Sequence, residues 1–343
     1  MVETLVEGLE HPWSLAFLPD GGMLITERGG ALRLVQDGVL QDAPVSGVPD
    51  VLALSQGGLL EVALAPDFEQ TRELYLSFAR GTAESNNTAL YRARFVDGAL
   101  IDGEVIWEAQ MNKTGGAHFG GRIAFLPDGT LLLTLGDGFE FREEAQNLSN
   151  HFGKIVRLNR DGSAPADNPF AGEAGVLADI WSYGHRNVQG IVYDAETGRV
   201  WAHEHGPRGG DELNLIESGH NYGWPIVTSG LDYSGARISP FTEHEGRFTA
   251  PVREWLPNSI APAGLAIYRG DVFPNWNGDL LVAALAGQAL HRVVIGNDEA
   301  VAEEVLLSDS GQRIRDVRVG PDGHVYVLTD HANGAVLRLS PAD

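Results

Sequence analysis

Four polar clusters in the chain carry side chains suited to moving protons or holding ions. The first is Gly115-Gly116-Ala117-His118-Phe119-Gly120-Gly121-Arg122. A neutral imidazole accepts a proton near neutral pH, and flanking glycines let backbone and substrate approach closely, so His118 is a candidate general base. The alternative is a histidine satisfied within a turn. Asp137, in Leu135-Gly136-Asp137, could reach back to His118, fix its tautomer and stabilise its protonated form. The second cluster, Tyr183-Gly184-His185-Arg186-Asn187, offers a cationic fork beside an amide. The third runs from His203 to Asn214 and is followed by Asn221-Tyr222-Gly223-Trp224-Pro225. His203 and His205 on one strand face would form half of a transition-metal site. Main-chain oxygens around Gly206 and Pro207, with the Glu212 carboxylate, suit instead a hard, oxygen-loving ion such as Ca2+. In the fourth, Gly311-Gln312-Arg313-Ile314-Arg315-Asp316, alternation on a strand turns Arg313 and Arg315 the same way, towards a shared anion if that face is inward.

Elements that could position these clusters recur along the chain. Short apolar, β-rich runs are punctuated by 43 Gly and 17 Pro, with no convincing amphipathic helix between them. One unit repeats six times: an apolar strand, an Asp-containing turn, then a second apolar strand ending in a small or polar residue. Its copies are Ser14 to Thr26, Leu60 to Ser77, Arg122 to Thr134, Ile191 to Ala202, Leu265 to Ala283 and Asp316 to Thr329. The turn aspartates stand at 20, 67, 128, 194, 271 and 322, leaving room for a four-stranded sheet and a rim loop per repeat. The pattern predicts an all-β fold, a six-bladed β-propeller of four-stranded antiparallel blades, as a single domain over residues 1–343. A sandwich pair is the alternative on pattern alone. Closing the ring requires the first strand, near Thr4 to Val6, to pair into the last blade near Ala335 to Leu339. The polar clusters fall between the repeated strands, where rim loops belong.

Composition narrows the function. The chain has 343 residues, 43 % of them hydrophobic and 21 % charged, which is globular composition. A formal charge of -23 makes nucleic acids and anionic membrane surfaces poor partners. Absence of Cys excludes disulfides, thiolate metal sites and thiol nucleophiles, so any metal must sit on oxygen or imidazole. No apolar run approaches a membrane span, and no signal peptide is present, so the chain is expected to be cytosolic or to have lost a leader. Walker, dinucleotide, nucleophile-elbow and His-Glu-x-x-His motifs are missing.

Taken in order, Gln56-Gly57-Gly58-Leu59, His118-Phe119-Gly120-Gly121-Arg122, Leu135-Gly136-Asp137, Tyr183-Gly184-His185-Arg186-Asn187, His205 to Glu212 and Arg313-Ile314-Arg315-Asp316 resemble the soluble pyrroloquinoline quinone (PQQ)-dependent aldose sugar dehydrogenases and their relatives, the soluble glucose dehydrogenases. The resemblance runs from about His11 to the C-terminus. It implies a six-bladed propeller that oxidises aldose sugars at C1 to the lactone, with PQQ and Ca2+ as cofactors and an external electron acceptor. It implies that His118 is the base, that Asp137 orients it, and that Arg186 stands beside the quinone oxygens with Asn187 next to it. Gln56, Arg313 and Arg315 would hold the cofactor. Gly206 and Pro207 would give carbonyl oxygens to the Ca2+ that polarises it, and Glu212 and Tyr222, the latter through its backbone oxygen, would hold a second, structural Ca2+. It further implies a monomer or homodimer, periplasmic or secreted. One departure is visible: some relatives carry a cationic side chain where this chain reads Ala284-Leu285-Ala286-Gly287-Gln288, which predicts weaker cofactor affinity. Two rival functions fit the same fold: a metal-dependent, lactonase-like propeller hydrolase, and a non-catalytic binding propeller. The first needs a carboxylate cage where this chain has arginines, and the second has no use for a proton acceptor.

Overall fold

The structure, a computed structural model, describes residues 1–244 and 246–342, and its strands follow the repeats. Among the described residues, twenty-four strands form six four-stranded antiparallel sheets. β1 (Val2–Leu9) is set apart from the blade that follows it. The first blade is β2 (Pro12–Phe17), β3 (Met23–Glu27), β4 (Leu32–Gln36) and β5 (Val39–Leu40). The second is β6 (Leu59–Leu64), β7 (Glu73–Gly81), β8 (Asn86–Val96) and β9 (Ala99–Glu108). The third is β10 (Ile123–Phe125), β11 (Leu131–Thr134), β12 (Lys154–Leu158) and β13 (Ile180–Tyr183). The fourth is β14 (Val188–Asp194), β15 (Arg199–Glu204), β16 (Asp211–Leu215) and β17 (Arg253–Trp255). The fifth is β18 (Pro262–Ile267), β19 (Leu280–Ala284), β20 (Ala289–Gly296) and β21 (Glu299–Leu306). The sixth is β22 (Ile314–Val319), β23 (Val325–Thr329) and β24 (Gly334–Leu339), completed by β1 as its outer strand. The ring closes as the sequence predicts, with Thr4 opposite Leu337 and Val6 opposite Val336. The leading strands β2, β6, β10, β14, β18 and β22 touch one another in sequence and then back to the start, so they line the axis of a six-bladed propeller.

Each repeat is the hairpin of the first two strands of a blade. The Asp turn caps that hairpin at one face of the ring: the carboxylates of Asp20, Asp128, Asp194 and Asp322 accept the backbone N–H two residues on. The fifth copy differs. There the side chain of Asn277 bonds both the N–H and the carbonyl of Gly270, closing a longer turn. Because the strands are antiparallel, the residue entering the first strand and the residue leaving the second lie at the opposite face. His118 enters β10 and Asp137 leaves β11; Arg186 enters β14 and Gly206 leaves β15; Arg313 enters β22 and Asp330 leaves β23. The topology alone therefore brings the polar clusters to one rim.

Six apolar clusters lie between successive blades. Leu24 and Leu32 pack on Leu59 and Phe78, Tyr75 and Leu90 on Leu131 and Leu133, and the ring ends with Tyr326 and Leu328 against Leu15 and Ile25. A polar stitch repeats as well. The hydroxyls of Thr26, Ser77 and Thr134, at or near the end of the second strand, donate to carbonyls of the next blade at Leu60 (2.6 Å), Gly121 (2.5 Å) and Val188 (3.1 Å). This is why the repeat closes on a small polar residue. In the fourth blade an imidazole does the same: His203 Nε2 lies 3.3 Å from the Gly264 carbonyl.

Turn chemistry here is testable. Asp128 accepts from the Thr130 N–H and hydroxyl, and its other oxygen takes the Arg157 guanidinium at 2.5 Å. Asp128→Ala is expected to cost about 1–2 kcal/mol in urea unfolding, since three bonds at a half-exposed turn are lost without opening a cavity.

Candidate functional site

Glycine decides the geometry around His118. Gly136 runs against the loop so tightly that a Cβ there would lie 2.4 Å from the His118 carbonyl, and Gly120, at φ +66°, would put one 2.5 Å from the Thr134 carbonyl. The two loops thus press together, and His118 Nδ1 comes within 2.6 Å of Asp137 Oδ1, both side chains being buried. A carboxylate can only accept, so Nδ1 carries the proton and Nε2 keeps its lone pair. The remaining carboxylate capacity is filled by the Phe139 N–H (2.9 Å) and by Trp224 Nε1, which donates to Oδ2 at 2.8 Å. Burial works to raise the Asp137 carboxyl, but the bond from His118 and the charges of His118 and Arg186 outweigh it and hold it below the usual carboxylate range. Burial is also the largest influence on His118; with Arg186 and Lys113 it outweighs Asp137 and holds the imidazole below its ordinary value. The arrangement is a neutral base on a charged, fully bonded support.

Two cavities lie beside this pair, each lined by residues that contact it. One, of about 270 Å³, lies over the axis and is lined by Trp13, Gln56, Phe119, Gln189 and His205 together with Arg28, Arg313, Arg315 and Asp330. Arg313 and Arg315 do face the same way: both reach Asp330 Oδ2, at 3.2 and 3.0 Å. One carboxylate among three guanidinium groups leaves the cavity cationic. Burial presses Arg315 down to about 10, with Asp330 opposing, so it stays charged at neutral pH; its Nε has no partner. The other cavity, of about 460 Å³, opens beside Phe139, Arg186, Pro207, Trp224 and Tyr233, with Glu140, Glu143 and Asp232 on its rim. His118 contacts the lining of both, since its backbone N–H donates to Gln56 Oε1 (2.9 Å) and its ring meets Phe139 edge-on. Asn187 lies behind Gly120, accepting its N–H at 3.2 Å, and its Nδ2 is buried without a partner. A flat molecule with several carboxylates fits the first cavity on those grounds: unpaired buried donors and surplus positive charge between aromatic walls.

The turn at residues 205–211 presents main-chain oxygens to a cation. A Cβ at Gly206 would lie 2.2 Å from the Gly210 carbonyl, so the turn needs glycine there. The cation it holds is a side chain: Arg186 Nη1 takes the His205 carbonyl at 3.0 Å and the Gly206 carbonyl at 2.6 Å. Farther from the axis, Glu204, Glu212 and Glu254 stand opposite one another across β15, β16 and β17. Burial first, then the charges of Glu204, Glu254 and Asp211, push the Glu212 carboxyl far up. Asn214 Nδ2 bridges Glu204 and Glu212, whereas Asn214 Oδ1 and Glu254 Oε1 are buried without partners. Such a row of oxygens fits a hard cation. Among the described residues no three His, Asp or Glu side chains surround one point, so an ion here must take main-chain oxygens too. Tyr222, on the adjoining segment, stacks on His185, which bonds Glu204 at 2.9 Å.

The possible transition-metal pair at His203 and His205 is corrected by the structure. Each imidazole is spent on a carbonyl of β18: His205 Nε2 lies 2.7 Å from Pro262 and His203 Nε2 near Gly264. Spacing along one strand could not reveal that the neighbouring blade supplies both partners. Trp224, Asp330 and Glu204 also belong to the site, and no spacing in the sequence marks them. Glu204 fixes the Arg186 loop, accepting its backbone N–H at 2.5 Å.

Comparisons with known proteins agree with the fold. A family model described as glucose/sorbosone dehydrogenase matches residues 9–338. The aldose sugar dehydrogenase YliI of Escherichia coli strain K12 is 45 % identical over 348 residues, covering 99 % of this chain and 92 % of its own. A crystal structure of a glucose dehydrogenase superposes with a TM-score of 0.96 at 46 % identity, covering 100 % of both chains. The PQQ-bound aldose sugar dehydrogenase of Streptomyces coelicolor superposes at 0.80 with 28 % identity, covering 98 % of both.

Proposed function

The chain belongs to the glucose/sorbosone dehydrogenase family of oxidoreductases, and from that premise we propose that it oxidises aldose sugars at C1 to the lactone with PQQ and Ca2+ bound. The observation that carries this is the His118–Asp137 pair, 2.6 Å apart, with His118 in contact with Gln56 of a cationic cavity and Phe139 of an open cleft. Arg313, Arg315 and Gln56 would hold the cofactor, with the unpartnered Asn187 Nδ2 and Arg315 Nε as further donors. Gly206 and Pro207 would give carbonyls to the ion beside it, and Arg186 would then share or leave the Gly206 oxygen. Glu212, with the Tyr222 carbonyl, would hold a second ion. When bound, the quinone supplies the oxidant that takes the C1 hydride.

The chain's own residues handle the proton. The sugar enters the cleft between Phe139, Trp224 and Tyr233, whose ring faces cover its C–H faces while Glu143 and Asp232 meet its hydroxyls. His118 Nε2 takes the proton of the anomeric hydroxyl, and the freed oxygen closes the second C1–O bond as the hydride departs. Asp137 keeps the ring turned and stabilises the imidazolium that results. Arg186 faces the charge that develops opposite. An external acceptor then removes the electrons. The periplasm or the cell exterior is the proposed location, tested by fractionating cells that make the full-length gene product. Among the described residues no helix is long and apolar enough to cross a membrane.

Titrating the apoprotein with PQQ in Ca2+ or in chelator, and following dye reduction with several aldoses, tests the proposal. Sugar-dependent reduction that saturates with quinone and fails in chelator is expected; no reduction after saturation rejects it. Arg313 is half exposed and shares Asp330 with Arg315. Arg313→Ala should therefore raise the quinone Kd only about 3- to 10-fold, and an unchanged titration removes Arg313 from the site.

A further inference from the structure

The segment after β9 carries Lys113, a fully buried lysine that the proposed chemistry does not use. Its backbone is pinned, exchanging both hydrogen bonds with Asn86, so the side chain is aimed by the second blade and not by chance. The side chain passes under the loop that follows Asp137, where a Cβ on Gly138 would lie 3.0 Å from Lys113 Cδ. Its ammonium ends 3.5 Å from the centre of the ring of Phe119, the residue that follows His118 in the chain, and has a single long bond, 3.4 Å, to the Gly115 carbonyl. An ammonium has three protons to place, and a buried one with so few partners is costly. Among the described residues no carboxylate bonds it, and the charge that acts on it is that of Asp137.

We propose that Lys113 is a positioning residue for the His118–Asp137 pair: its walled-in ammonium disfavours a second proton on the imidazole, so that His118 enters the reaction as a base. This rests on the assignment of His118 as the base. The charged groups acting on His118 come from every side. Asp137, from the loop after β11, favours the imidazolium; Arg186, ahead of β14, Lys113, after β9, and His205, after β15, disfavour it when charged. Arg186 already serves the rim, so Lys113 is the cation placed behind the pair. Burial lowers Lys113 itself to about 8, with Asp137 opposing, so the ammonium is charged where the base must be neutral.

The test reads His118 by NMR titration of the ring in the apoprotein, which needs neither quinone nor sugar. In Lys113→Met a like charge is gone, and the His118 midpoint should rise by roughly half to one pH unit. In the loaded enzyme the acid limb of kcat should move up equally, while Lys113→Arg leaves both near wild type. A Lys113→Met protein that folds and turns over with an unmoved midpoint overturns the proposal. If the variant does not fold, the wild-type protein decides: the His118 signals should show a second inflection as the Lys113 13Cε resonance titrates, and its absence overturns the proposal. Loss of turnover in His118→Ala is a separate result, so failure of the coupling and failure of the base assignment are distinguishable.

Discussion

Replacing His118 by alanine should lower kcat about 10²- to 10⁴-fold while leaving the quinone titration close to wild type. General-base catalysis by a positioned imidazole is worth that range, and the two groups proposed beside His118 do not replace it. Asp137 is spent on accepting from Phe139 and Trp224, and Arg186 carries no lone pair to offer. The fold should survive the change. Asp137 keeps its two other donors, and the His118 backbone N–H still has Gln56. Cofactor affinity should survive because the guanidinium groups of the axial cavity come from the sixth blade and from Arg28. The pH profile gives the sharper reading. With its midpoint held below the ordinary value, wild-type His118 is already a base at neutral pH and loses activity only as pH falls through the lowered midpoint. That acid limb should vanish in His118→Ala. Joint loss of turnover and quinone binding would instead assign His118 to the architecture of the cavity.

Much of this frame is written locally. Hairpins announce themselves through Pro-Asp turns and alternating apolar residues, and six of them require a ring. The opposition of His118 and Asp137 also follows from one hairpin, since they flank β10 and β11. What stays hidden is whatever one blade does for another. Trp224 reaches Asp137 across 87 residues, and His205 spends its ring on Pro262. Nothing in the spacing of His203 and His205 separates a metal pair from two bonds to the next blade's backbone. Lys113 is equally silent: a lysine after an outer strand reads as solvated, and only its Asn86 clamp and the missing side chain at Gly138 turn it inwards. The Arg313–Arg315 alternation was legible, but its partner Asp330 is supplied by the far end of β23.

The same rule governs the axis, where the largest loss of stability is expected. Arg122 stacks over Trp13, donates to Glu61 and Asp316 at 2.8 and 2.9 Å, and bonds the carbonyls of Gln189 and Arg315. Arg318 bonds the same two carboxylates and Ser14. Asp316 also accepts from the Leu15 N–H, and Gly264 lies so close that a Cβ would sit 2.3 Å from its Oδ1. Two guanidinium groups and two carboxylates thus make a neutral plug that every blade touches. Replacing the whole plug by apolar residues could cost little, but removing one cation strands a buried negative charge. Arg122→Met should therefore destabilise the protein by about 3–5 kcal/mol in urea unfolding. Adding Glu61→Gln removes the stranded charge and should return part of that loss, as coupling between contacting groups requires. Because Arg122 also holds the Arg315 carbonyl, the single variant should weaken quinone binding as well. A loss below about 1 kcal/mol, or strict additivity with Glu61→Gln, would show that water reaches the axis and that the ring is held by its interblade apolar layers alone.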